Sequence, residues 1–436
     1  MVSDTERSTT LSMRQLLFFF APLGASASLI TVSHLIINST LARSSNPELI
    51  IASYAIALTL LGLIERPAVL LRHTCSALVR DRVSFKAFSR VALIVISSLM
   101  ILGLSFSYTP LGKWIFLYLF GAEASMIDEI IDVFRILMFV TFFSGIRCIY
   151  HGIIISNFHT KWMTIGVVVR LIMMSLISYY FIHFGTIDSG QVGAIIFLSG
   201  MMIECLVSFL EGRQLLRKMP IKLVEHTTEN THQIFNFYRP LLYSSFIAVA
   251  IGPTINFALG KTTNLTLAIA AFAIAMNVSQ LMNSFFSYIH QIVLNYHRRD
   301  SKTVLRFVLI ISLIPAFLIS TINFTPIGTW FLQQLMGISG ELLSETKNVL
   351  QICLLITLVF PWLDYVNGRV MLMGQNAILI RSQLANLFVV FTTLFILVLI
   401  TPGWNGMIGA LAISLGFTAE LTVVLFFLRV AKRNRI

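Results

Sequence analysis

Eight of the charged residues inside stretches otherwise suited to hydrocarbon are candidates for chemistry: Glu65, Arg66, Arg147, Arg170, Glu204, Arg239, Asp364 and Glu420. His151 and His290 stand near the ends of two such stretches. Charge is costly in a bilayer, so these positions are where chemistry is sought: recognition of a charged solute, passage of an ion, or pairing that locks one conformation. The competing reading is snorkelling, in which long side chains near helix ends reach the headgroups. For Arg170, Glu204, Arg239 and Glu420 both readings stay open. Glu65 and Arg66 are adjacent and precede Pro67. Neighbours on a helix point about 100° apart, so both can hardly face lipid. Pro67 also leaves a carbonyl one turn earlier without its usual donor, which predicts a kink with spare polar groups. Asn38 and Asn256 are polar positions in two other apolar stretches, read either as helix–helix hydrogen bonds or as ligands of a cleft. The candidate substrate-binding set is therefore Asn38, Glu65, Arg66, Arg147, Arg239, Asn256, His290 and Asp364.

The elements that must position these residues are membrane helices. The chain has 436 residues, is 57% hydrophobic and 11% charged, and has a mean hydropathy of +0.85. That composition excludes a soluble globular protein. Apolar runs of about 20 residues recur, each long enough to cross a bilayer as a helix that bonds its own backbone. Twelve are expected, near 14–38, 49–71, 91–108, 128–151, 163–184, 190–212, 235–259, 266–290, 304–323, 348–368, 380–400 and 406–428. The fold class is all-α and polytopic. The first run, with its counterpart in the second half, is read as a span rather than a signal peptide.

The net charge of +12 is placed by topology. Arg72, Arg80, Arg82, Lys86, Arg90, Arg213, Arg217, Lys218, Arg298, Arg299, Arg369, Arg381 and Arg429 fall in one set of loops with the termini, whereas the opposite set holds only Arg43, Lys113, Lys261 and Lys347. This positive-inside asymmetry predicts a multi-pass protein of the cytoplasmic membrane with both termini in the cytoplasm. A nucleic-acid partner then has nothing left to explain. Cys75, Cys148, Cys205 and Cys353 show no pairing or metal spacing, so neither disulfide nor metal is expected. GPTINFALGKTT, at Gly252, lacks the first glycine of a phosphate loop, since Ile255 stands there. With no catalytic cluster either, the chain is read as a non-enzyme without a cofactor.

The sequence repeats itself. A displacement of 218 sets Pro22-Leu23 on Pro240-Leu241, Asn38 on Asn256 and Arg80 on Arg298. A displacement of 216 then sets Thr109, Pro110, Gly112 and Trp114 on Thr325, Pro326, Gly328 and Trp330, and Gly200 and Glu204 on Gly416 and Glu420. This is a duplication into two six-helix lobes, 1–218 and 219–436. An even number of spans per unit makes the repeats parallel, related by a pseudo-twofold along the membrane normal, with a cleft between them as in other transporters. Glu204 and Glu420 become a symmetric structural pair, each expected to clamp its own half against a neighbouring arginine. Arg147 and Asp364 lie one position from equivalence, and if spans 4 and 10 face each other they can pair across the axis and lock one conformation. The shared TPLGKW and TPIGTW segments read as helix stops, with tryptophan at the interface.

These features resemble the multidrug/oligosaccharidyl-lipid/polysaccharide flippase (MOP) superfamily, which includes the multidrug and toxin extrusion (MATE) transporters. Pro22-Leu23-Gly24, Asn38, Ala52-Ser53-Tyr54, Pro67, Arg80-Asp81-Arg82, Phe237, Pro240-Leu241, Pro253 and Asn256 carry the resemblance, which looks closest to the progressive ankylosis branch. It implies an alternating-access exporter, and for that branch efflux of small organic or phosphorylated anions such as citrate, nucleotides or pyrophosphate. Arg66, Arg147 and Arg239 would suit an anion. The acidic residue that many coupled relatives carry in span one is replaced here by Ser33, His34 and Asn38. A coupling ion, H+ or Na+, is left open. The expectation is a monomeric secondary transporter, in the lipid bilayer, of a small organic solute: an organic or phosphorylated anion or an amphipathic compound. A flippase for a lipid-linked sugar and a non-transporting scaffold are the alternatives.

Overall fold

A computed structural model describes residues 11–41, 43–44, 47–119, 124–224, 228–259, 261–335, 338 and 340–433. Among these the protein is helical throughout, without strands. The helices are α1 (Met13–Leu41), α2 (Pro47–Leu78), α3 (Arg82–Tyr108), α4 (Pro110–Trp114), α5 (Ile127–Ser156), α6 (Lys161–His183), α7 (Gln191–Lys218) and α8 (Thr231–Leu259). They continue with α9 (Leu265–Ser284), α10 (Ile289–Tyr296), α11 (Ser301–Ile311), α12 (Leu313–Phe324), α13 (Pro326–Trp330), α14 (Gly340–Leu372), α15 (Ala377–Ile400) and α16 (Gly406–Arg433). Taking α9 with α10 and α11 with α12, and leaving aside the short α4 and α13, these are the twelve expected spans. Nine, among the described residues, are long and apolar enough by themselves to cross a membrane. On α15, Phe388, Phe391, Phe395 and Leu399 are all exposed along one face, which suits contact with lipid rather than water.

The chain forms two compact units, Met1–Gly24 with Tyr243–Ile436, and Ala25–Leu242. Their boundaries fall within α1 and α8 at positions equivalent in the repeat, so each of these helices contributes to both units. The first turns of α1 belong with the later part of the chain, where the Phe20 ring meets Phe285 and Phe307 edge-on at 5.5 and 5.9 Å. The first turns of α8 belong with the earlier part, where the Tyr238 hydroxyl donates to the Pro67 carbonyl over 2.9 Å. Each unit has its own apolar core, around Tyr54, Phe134 and Leu137 in one, and around Ile255, Val349 and Leu350 in the other.

Two helix breaks depart from expectation. The helix through Pro67 stays continuous from Pro47 to Leu78. Its duplicate, without the proline, breaks over residues 285–288 between α9 and α10. Phe285 is the repeat equivalent of Pro67, and an acidic side chain elsewhere supplies the compensation described below. The third span of the second half breaks at Ser312, where Pro315 shortly afterwards removes a backbone donor. The span through Pro240 and Gly252 is one helix, α8.

The TPLGKW repeat is explained by its backbone. Thr109 and Thr325 are N-caps whose hydroxyls accept from Leu111 N and Gly328 N, each at 3.3 Å, and proline follows at the first helical position. A Cβ on Gly112 would overlap the Phe106 carbonyl oxygen, and one on Gly328 the Ile322 carbonyl oxygen. Each short helix then opens into a π-helical turn, Ile115–Leu119 or Phe331–Leu335. Gly112→Ala and Gly328→Ala are each expected to cost about 1–3 kcal/mol, the usual penalty of overpacking. Thermal unfolding of the purified protein checks this, and unchanged midpoints would remove the backbone explanation.

Candidate functional site

In the unit Ala25–Leu242, four helices converge on one carboxylate. Ser144, Arg147 and His151 recur along one face of α5, at the spacing of adjacent helical turns. Arg147 Nη1 donates to Glu204 Oε1 on α7 over 2.8 Å, and Arg170 Nη1 on α6 donates to Glu204 Oε2 over 3.0 Å. Arg147 Nη2 reaches Ser144 Oγ at 3.2 Å and lies 3.9 Å from Glu65 Oε1 on α2. The Ser144 hydroxyl in turn donates to Glu65. His151 Nε2 stands 4.0 Å from Glu204 Oε1. The Arg170 guanidinium also lies over the Phe197 ring, 5.0 Å from its centroid.

Glu65 and Glu204 thus balance Arg147 and Arg170 within a single unit. Glu204, Arg147 and Arg170 are buried, so snorkelling does not describe them. Gly200, one turn before Glu204, lets α6 pack close, since a Cβ there would come within 2.5 Å of Met174 Cγ and 3.1 Å of Arg170 Cγ. Buried pairs of this kind add little net stability, but removing one partner strands the other in a low-dielectric interior.

The second gathering lies in the other unit. The break before α10 frees its first backbone amides. Asp364 Oδ2 on α14 accepts the His290 backbone N–H over 2.8 Å, and Asp364 Oδ1 lies 3.0 Å from His290 Nδ1. Gln291 Nε2 is 3.0 Å from His290 Nε2. A Cβ on Gly368, one turn after Asp364, would come within 2.8 Å of His290 Cα, so α10 and α14 approach only because that residue is glycine. Asp364 therefore serves as the missing partner of an interrupted helix. Within their own units Arg147 pairs with Glu204 and Asp364 with His290.

Glu420 corrects a further expectation. It is buried like Glu204, but among the described residues no arginine pairs with it. Gln383 Nε2 donates to its Oε1 over 2.6 Å, and Asn386 Nδ2 to its Oε2 over 2.7 Å. The reason is in the repeat: Asn386 is the equivalent of Arg170, and Leu363 of Arg147. Sequence reading overlooked Ser144, Gln383 and Asn386. Aligning the repeat through residues 170 and 386 would have found Asn386.

Arg66 and Arg239 are exposed, as is Asn38. The Tyr238–Pro67 hydrogen bond joins the helical segments that carry these two arginines, each one residue from a bonded partner. Asn256 lies in α8, but its side chain is outside the described residues.

No protein-family model matches the sequence, and no curated protein does. Solved structures share the fold over almost the whole chain. An outward-facing multidrug resistance MATE family transporter of the MOP superfamily superposes with a TM-score of 0.76 at 15% identity, covering 96% of this chain and 95% of that one. A MOP superfamily transporter from Pyrococcus furiosus, described as having a binding pocket of reversed polarity that suggests a different function, gives 0.74 at 15%, covering 96% and 95%. A eukaryotic MATE transporter gives 0.75 at 14%, covering 95% of each chain. The chain therefore has the MATE fold, that of an integral, multi-pass membrane protein.

Glu204→Gln leaves Arg147 and Arg170 buried without their shared counter-charge. We expect a loss of about 3–5 kcal/mol, against a far smaller loss for Glu420→Gln, which leaves only amides. Denaturant unfolding in detergent compares the two, and equal losses would contradict the clamp.

Proposed function

We propose that the protein is a secondary-active, alternating-access transporter that exports a small organic solute, most simply an organic or phosphorylated anion. The fold it shares with multidrug extrusion transporters over nearly its whole length supports the transporter reading. The anion reading is carried by one observation. Arg66 and Arg239 are exposed, form no ion pair among the described residues, and sit beside the hydrogen bond that ties α2 to α8. Two further arginines of this unit, Arg147 and Arg170, are already paired with Glu204. Two guanidiniums on tied segments suit a carboxylate or phosphate, which each can engage through paired N–H donors. The resemblance to the progressive ankylosis branch points the same way, towards citrate, nucleotides or pyrophosphate. In this reading the protein works as a monomer in the cytoplasmic membrane with both termini inside.

Reconstitution into liposomes with labelled citrate, ATP and a cationic dye tests it. We expect uptake of an anion, reduced about tenfold or more by Arg66→Gln or Arg239→Gln, the loss of one charge-assisted contact. Uptake of the dye alone, or anion uptake at wild-type rates in both variants, would overturn the anion assignment. A failure to move any solute would favour the flippase or scaffold alternatives.

A further inference from the structure

Duplication left two copies of one buried carboxylate, and only one kept its cations. Glu204 is met by two guanidiniums, at 2.8 and 3.0 Å. Glu420 is 1% exposed and is met only by the side-chain amides of Gln383 and Asn386. The helices packed against α16 are α9, α14 and α15. Helix α9 has no charged residue. On α14, Glu341, Glu345 and Lys347 lie in the first turns and Arg369 in the last, while Asp364 is engaged by His290. On α15, the Arg381 guanidinium lies over the Phe427 ring at 5.0 Å. Among the described residues none of these forms an ion pair with Glu420. An ionised carboxylate so placed has dipoles to face but no opposite charge, and its desolvation is only partly compensated.

The amides fit both protonation states. As drawn, their N–H groups donate to the two carboxylate oxygens. Their own oxygens, Gln383 Oε1 and Asn386 Oδ1, are buried without a hydrogen-bond partner. Turning either amide over presents that oxygen to a carboxylic O–H instead. An arginine in the same place offers donors only, and the Glu204 site lacks this second mode. We propose that Glu420 is a proton-binding site of the transport cycle: one oxygen takes H+ from water to become the neutral acid, and releases it to water as the bundle around α16 rearranges. The proposal rests on the transporter reading only for the words "transport cycle"; proton binding at this residue is measurable without any substrate.

Infrared difference spectra of the full-length protein, between about pH 5 and about pH 9, read the carboxylic acid C=O stretch directly. We expect a band that Glu420→Gln removes. Asn386→Arg, which copies the arrangement at Glu204, should also remove it while Glu420 remains, because the added cation holds the carboxylate ionised. That second variant keeps the test decisive if the first folds poorly. In proteoliposomes, solute accumulation driven by a pH gradient should be lost in both variants. An unchanged infrared band in both would overturn the proposal. So would wild-type response to the pH gradient, or a band displaced by sodium at fixed pH, which would make the oxygens a sodium site. A retained, Glu420-dependent band with no transport of any solute would instead overturn the functional reading and leave the proton site standing.

Discussion

A carboxylate enclosed by membrane helices has three remedies: a cation beside it, hydrogen-bond donors around it, or a proton on it. The unit Ala25–Leu242 takes the first at Glu204. Because no single neighbour supplies enough charge and geometry, arginines arrive from α5 and α6, and Glu65 on α2 restores neutrality through Arg147 and Ser144. This requirement joins four helices at one point. The glycine at position 200 lets α6 come close to α7 beside this cluster, against Met174 and Arg170. Buried ion pairs of this kind add little net stability, but each member depends on the others once they are enclosed.

Comparing the two halves shows which features tolerate change. Positions fixed by backbone contact persist: Gly112 and Gly328 lie against carbonyl oxygens, and Gly152 and Gly368 each sit where a neighbouring helix would meet a Cβ, at Cys75 and His290 respectively. Polar partners have diverged. Arg170 has become Asn386, Arg147 has become Leu363, and Pro67 has become Phe285 beside a broken helix. Steric overlap with a backbone has one remedy, a residue without a Cβ, whereas a charge can be met in several ways. Each half keeps the frame and solves its electrostatics separately.

Helix α2 and its counterpart, α9 with α10, show that proline alone does not decide interruption. Helix α2 tolerates Pro67. The break in its counterpart is stabilised by Asp364, 74 residues away from the His290 amide that it caps. A distant acceptor for freed backbone donors matters as much as the local residue that frees them.

The amino-acid sequence by itself determined the twelve helices, the duplication and the places where charge enters the apolar segments. These depend on hydropathy over windows of about 20 residues and on recurrence of Pro, Gly and Trp, which are local properties of the chain. It also marked the TPLGKW repeat as a helix stop, which the Thr109 and Thr325 caps match. Tertiary structure decided the partners. Glu204 and Glu420 look alike in the repeat, yet one meets two guanidiniums and the other two amides, because the answering residues lie 34 or more positions away on other helices. The hydrogen bond between Tyr238 and Pro67 ties together the helical segments that carry Arg66 and Arg239, a juxtaposition that sequence spacing alone does not give. Hydropathy selects which side chains enter the membrane; only packing decides which charge each will meet.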